Sequence, residues 1–477
     1  MAEIASPVGA VFTRQNIGIP LALIGSAAVL AFGTPAGLSP EGHKALALFV
    51  GIFILFLTEA IPLAITGLLV VPAGALLGLG SVGGLLAGFA SSSIYMIVGA
   101  YILAIAMVKT KLAERITYGI LANTGCSPLR ITLGLTLSNI ALAFLVPSST
   151  ARTAILFPVC LSIINLFESE KRSNFAINVL LNLAFTNATI GAGILTATVP
   201  NPVTVEFIVK AGGPLITYSD WFLYGFPPAL LMTFATWWVL LRMYPPEPID
   251  DARAGAVIAE GLRALGPTTH AEWRTLAVFV AVVFFWATQA WTRLDTTLVC
   301  LAGACLLFLP KIGVIDWSDA NKGVSWQLVL ICGGGFSLGD VLMKTGATKW
   351  LAMSIFNLLG LSSVSPIFLI IIIMVILAYM HFIFVGTTVM ATALMPLVIG
   401  IAETAGVHPL VLLLPAGMII GGYPLVMFYS TLPNIIVYGS GKLRASDFII
   451  PGCVLCLLAC LVYAACAASY WRMLGLF

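Results

Sequence analysis

Charge is scarce in this chain. Only 9% of its 477 residues are Asp, Glu, Lys or Arg, four are His, and a net charge of +3 is scattered through short loops. With no basic stripe and no block of like charges, nucleic acid is excluded as a partner. The N-terminus carries no basic n-region leading into an A-x-A cleavage site. Glu3 and Arg14 precede an apolar run over residues 17–32, which reads as a retained first span.

Complete enzyme signatures are lacking too. Gly439-Ser440-Gly441-Lys442 resembles a phosphate loop, but no Gly stands at position 436 and Leu443 occupies the place of the required Ser or Thr. Gly335-Phe336-Ser337-Leu338-Gly339 matches G-x-S-x-G. It opens an apolar helix after a run of glycines, whereas a nucleophile elbow needs a strand-to-helix turn. The nine cysteines lie mostly in apolar segments, with Cys453, Cys456, Cys460 and Cys466 on the last span. Their C-x-x-C-x-x-x-C spacing has no nearby His or carboxylate, so packing is expected there in place of a metal or a disulfide framework.

What the chain has is apolar length. Hydrophobic residues make up 60% of it, and the runs repeatedly reach the ~20 residues that cross a bilayer. An all-α polytopic membrane protein is expected, because lipid tolerates only backbone that satisfies itself. Residues 244–274 form the longest polar stretch, with Asp250, Asp251, Arg253, Glu260, Arg263 and Glu272. This linker separates two halves. The reading is therefore 1–43 as N-terminal segment and first span, 44–243 as first repeat, 244–274 as linker and 275–477 as second repeat.

Markers recur in both halves. Lys109-Thr110 and Lys344-Thr345 each precede a hydroxyl cluster by about forty residues: Ser148-Ser149-Thr150 in one half, Thr387-Thr388 in the other. Pro158 and Pro396 follow Thr150 and Thr388 at the same offset, and T-V-P-N at Thr198 to Asn201 returns as T-L-P-N at Thr431 to Asn434. A duplication is expected. The segments around each hydroxyl cluster are joined by too few polar residues for an aqueous loop, so two re-entrant hairpins follow, with tips at 147–150 and 386–388. Five crossings per half then invert the second repeat, and the initial span brings the count to about eleven.

The tips and breaks make one polar constellation written twice. Pro147 stops its helix and exposes backbone beside Ser148, Ser149 and Thr150. Such oxygens suit sodium, and hydroxyl protons with a helix N-terminus suit a carboxylate. Thr198 and Thr431 face the tips from broken spans, with Pro200 and Pro433 making the breaks and Asn201 and Asn434 bracing them. Arg152, two residues past the first tip, is expected to face a cavity or a partner; its counterpart is Met390, so the site would be cationic on one side. His381 reads as an interhelical histidine before a proton carrier, and Glu59 and Asp340 as scaffold residues.

T-E-A-I-P-L at Thr58 to Leu63, V-P-S-S-T-A-R at Val146 to Arg152, the Gly333 to Gly346 run and both T-x-P-N breaks resemble the divalent anion/sodium symporter family over nearly the whole chain. That resemblance implies eleven crossings and two hairpins, a homodimer in a bacterial inner membrane, and elevator transport of di- and tricarboxylates. Family tips typically read Ser-Asn-Thr; here the Asn positions are Ser149 and Thr387, and one Ser is Gly386. Carried over by position, the substrate residues are Ser148, Ser149, Thr150, Thr387, Thr388, Thr198 and Thr431. Sodium is the one implied cofactor, at Ser148, Ser149, Ala197, Gly386, Thr387 and Ser430. Symport with sodium and exchange of anions both stay open. So do an ion antiporter or oxyanion transporter on the same fold and, from another class, an intramembrane hydrolase using Ser337 with His381.

Overall fold

The computed structural model describes residues 14–165, 173–358, 360 and 364–476; Glu3 lies outside them. Every regular element among the described residues is a helix. Helix starts carry acceptors for their orphan first-turn amides. Ser39 caps Pro40–Thr58, and capping boxes at Thr217/Asp220 and Thr269/Glu272 open Tyr218–Met243 and His270–Ala287. Among the described residues eight helices are long and apolar enough to cross a membrane, and two of these, Pro128–Leu145 and Thr387–Thr404, are hairpin arms. Arg14–Ala31, the shorter Leu63–Leu76 and Thr296–Leu306, and two broken spans complete the crossings among the described residues.

Both halves run through the same order of elements. Hairpin Pro128–Leu145/Ser149–Asn165 is followed by the broken span Asn174–Gly191/Pro200–Lys210, and hairpin Pro366–Met380/Thr387–Thr404 by Pro409–Gly422/Leu432–Tyr438. The hairpins enter from opposite faces. A Cβ on Gly255 of linker helix Asp251–Ala264 would meet Cys126 Sγ, at the base of the first hairpin, at 3.1 Å. The second hairpin follows Ala347–Leu358, whose Trp350 Nε1 donates to Ala36 O, and Ser39 Oγ donates to Thr345 O just before it. That is the start of Pro40–Thr58, away from the linker.

The helices sort into two bodies that pack against each other most closely where Trp326–Lys344 meets Thr387–Thr404. One holds both hairpins, both broken spans, Tyr218–Met243 and Ser446–Ala468. A buried polar seam ties its first hairpin to its first broken span: Asn182 Nδ2 donates to Thr132 O (2.8 Å), and Asn139 Nδ2 to Thr186 Oγ1 (2.8 Å). The other body contains Pro40–Thr58, Leu63–Leu76, Ser92–Lys109, Thr296–Leu306 and Trp326–Lys344.

Within this second body two backbones touch where neither residue has a side chain. A Cβ on Gly334 would lie 2.0 Å from Gly67 O, and one on Gly67 would lie 2.5 Å from Leu330 O. Small residues permit such approach between membrane helices. Gly334→Ala is therefore expected to destabilise the protein by the upper end of the ~1–3 kcal/mol that overpacking costs, read as a lower melting temperature in detergent. Gly119→Ala, at a helical glycine with open space around it, leaves the melting temperature unchanged or raised. Equal behaviour of the two variants would contradict this contact.

Candidate functional site

The first hairpin turns because Pro147 forbids helix. Pro128–Leu145 ends, Val146 is extended (φ −122°, ψ 97°), and Ser149–Asn165 begins with Ser148 as its cap, Ser148 Oγ accepting from Ala151 N at 3.2 Å. The second turns at Gly386, whose φ of +102° suits glycine although nothing crowds its missing Cβ. Gly386 N donates to Ser430 O (3.2 Å) and Ser430 Oγ to His381 O (3.1 Å), which fastens the second tip to the second break.

The breaks share one brace. Asn201 Nδ2 donates to the carbonyls of Gly191 and Ile194, both at 2.8 Å; Asn434 Nδ2 donates to those of Pro424 and Met427, at 2.8 and 2.9 Å. Each asparagine thus gathers the carbonyls ten and seven residues before it. Both Oδ1 atoms are buried and accept no hydrogen bond.

Tips and breaks meet at a cavity of about 370 Å³ between the two bodies. From the hairpin body come Ser148, Ser149, Thr150, Thr198, Gly386, Thr387, Thr388 and Thr431, all expected from sequence. The other body contributes Glu59, Leu63, Tyr101, Gln327, Leu328 and Ile331. Neither Lys, Arg nor His stands among these lining residues. Gln327 is exposed and sits one residue into Trp326–Lys344, so the cavity opens there. That end is the linker's face: Asp319, on the short helix Trp317–Gly323 just before it, pairs with Lys109, and Arg115 bonds the linker carbonyls of Leu265 and Gly266.

Five expected residues lie behind the wall. Arg152 is 0% exposed, with Nε donating to Asn187 Oδ1 (2.6 Å) and Nη1 to the carbonyls of Val146 (2.7 Å) and Ala197 (3.1 Å). Its guanidinium knits the tip to the first break and does not face the cavity. Pro200, Asn201, Pro433 and Asn434 make and brace the breaks without lining the space. Of the expected sodium oxygens, Ala197 O is held by Arg152, and Asn187 Nδ2 donates to Ser149 O (2.7 Å). Thr196 Oγ1, buried without a partner, faces a small space behind Pro147.

Sequence reasoning passed over Tyr101, Gln327, Tyr429 and Asn187. Tyr429 precedes the second break and donates to Phe382 O at 2.8 Å; its nearness to T-L-P-N was the available signal. The others stand alone in their local sequence. His381 is interhelical, its ring nitrogens against Ala378 O and Ile420 O at 3.1 and 3.2 Å. Ser337 lies mid-helix and donates to Leu85 O (2.5 Å), so its string forms no elbow.

Residues 15–477 match the family described as the sodium:sulfate symporter transmembrane region. A membrane protein of Cupriavidus necator is 28% identical over 467 residues, covering 94% of this chain and 90% of its own length. The sodium-dependent dicarboxylate transporter SdcS of Staphylococcus saprophyticus is 28% identical over 456 residues, 90% of this chain and 86% of its own. Among solved structures, Neisseria gonorrhoeae MtrF superposes with a TM-score of 0.57 at 12% identity, over 96% of this chain and 95% of its own, a likeness of fold alone.

Proposed function

This chain belongs to the sodium:sulfate symporter transmembrane family, and from that premise we propose that it carries small organic dianions, C4-dicarboxylates first, across the membrane with sodium. It is an integral membrane transporter, not an enzyme. The observation that carries the substrate class is the cavity, where two hydroxyl-bearing tips and two broken spans converge. Helices Ser149–Asn165 and Thr387–Thr404 both start at the tips, bringing their positive N-terminal ends and hydroxyls to a bound carboxylate.

Charge balance argues for a co-transported cation. No lysine, arginine or histidine lines the cavity, and a dianion taken from water without compensation is prohibitively costly. Sodium bound by hydroxyls and freed carbonyls supplies that charge. The residues proposed to hold it are Ser148 and Ser149 at the first tip and Gly386, Thr387 and Ser430 at the second, with Ala197 contributing where Arg152 leaves its carbonyl a second lone pair. Transport is proposed to follow an elevator motion of the hairpin body against the second body, the latter joining two chains in a homodimer.

Uptake of radiolabelled succinate or malate into proteoliposomes tests the reading. Accumulation is expected with an inward sodium gradient and is lost when choline replaces sodium. Uptake that needs internal dicarboxylate and ignores sodium would assign exchange instead. No uptake of any di- or tricarboxylate would overturn the substrate class.

A further inference from the structure

The face opposite the cavity mouth is closed by a charged cluster that the substrate site does not use. Lys210, the last residue of half-helix Pro200–Lys210, donates to Asp340 Oδ1 at 2.7 Å and lies 3.9 Å from Glu206 Oε1. Glu206 Oε2 accepts from Ser91 Oγ (2.6 Å) and Ser93 Oγ (3.1 Å), at the start of Ser92–Lys109. Lys210 and Glu206 belong to the hairpin body; Asp340, Ser91 and Ser93 belong to the other. The cluster therefore bridges the two surfaces that must slide in an elevator.

Its depth fixes its role. Asp340 lies thirteen residues beyond Gln327 on the same helix, about 20 Å from the mouth at 1.5 Å per residue. Close packing backs the ionic contacts: Phe207 meets Phe336 edge-on with centroids 5.3 Å apart, and a Cβ on Gly339 would strike Phe207 at 2.7 Å. All three paired side chains are about four-fifths buried, with 18–20% exposure, so water screens them less than a surface pair.

The second repeat carries neither charged residue at the matching positions. Glu206 and Lys210 stand five and nine residues past Asn201; the same offsets from Asn434 give Gly439 and Leu443. When the bodies slide so that the cavity opens to the other face, the second break takes the corresponding position and brings Gly439 and Leu443 to the places of Glu206 and Lys210. We propose that Lys210–Asp340 and Glu206 with Ser91 and Ser93 form a one-sided latch that favours the state open toward the linker face. This rests on the elevator reading of the fold.

Hydrogen exchange of the protein in lipid nanodiscs, without substrate, tests it. Asp340→Asn and Lys210→Met are each expected to speed amide exchange at residues 91–94 and 337–341 by about tenfold, the scale of one lost charge-assisted hydrogen bond, while slowing it at 327–331. The double variant is expected to match Lys210→Met alone, because that substitution already removes the contact that Asp340→Asn loses. Should Lys210→Met fail to fold, Asp340→Asn keeps the side chain's size and carries the test alone. Exchange unchanged at 91–94 in a folded variant, or additive effects of the two substitutions, would overturn the latch. The measurement needs no transport, so failed dicarboxylate uptake and a failed latch are told apart.

Discussion

Arg152→Met is expected to abolish uptake of every substrate alike and to lower the melting temperature of the substrate-free protein. The guanidinium is wholly buried and binds Asn187 Oδ1 and two carbonyls, of Val146 before the tip and Ala197 before the first break. Methionine matches much of the volume but leaves Asn187 Oδ1 and Ala197 O without donors, at ~1–3 kcal/mol each, while Val146 O keeps Ser148 N at 2.8 Å. Relief from burying a charge offsets part of this, since desolvating an unpaired ion is itself costly. The acceptors prevail because Asn187 also holds the tip through Ser149 O and Thr153 Oγ1, both at 2.7 Å, so losing one donor loosens the whole tip.

Arg152→Lys is expected to rescue little. An ammonium on a flexible stem cannot span the three acceptors that the planar fork reaches together. The discriminating measurement is uptake of a dianion beside a monoanion, with thermal unfolding in parallel. Loss of dianion uptake alone, with the melting temperature intact, would mean that the guanidinium reaches the substrate after all.

Arg152 also marks the limit of what the sequence could disclose. Its cost in an apolar run demanded a partner, and that inference was sound; whether the partner was a cavity or a carbonyl cluster depends on how Ser149–Asn165 is rotated against Asn174–Gly191. Periodicity of one helix cannot supply that rotation. The tips and breaks were legible because Pro147, Gly386, Pro200 and Pro433 interrupt helix locally, where the chemistry of a single residue decides. Tyr101 and Gln327 reach the cavity from helices far away in sequence and sit in no motif. The bracing role of Asn201 and Asn434 was readable, but the repeated pattern of carbonyls ten and seven residues back required the fold.

Thr150→Ala with Thr388→Ala is expected to remove dianion binding without unfolding the protein. Both threonines line the cavity in the first turn of a long helix, one from each tip. A hydroxyl donating to a carboxylate contributes ~1.5–3 kcal/mol, so each single substitution weakens binding by about tenfold or more and the pair by about a hundredfold. Alanine is a strong helix former and leaves no buried donor behind, which predicts an unchanged melting temperature without substrate. The stabilisation that saturating succinate and sodium give the parent protein should vanish in the double variant, as mass action requires. The two tips belong to different hairpins, so their losses should add; a pair no worse than either single would mean that only one carboxylate is gripped by hydroxyls. Unchanged affinity in all three variants would move the substrate elsewhere in the fold.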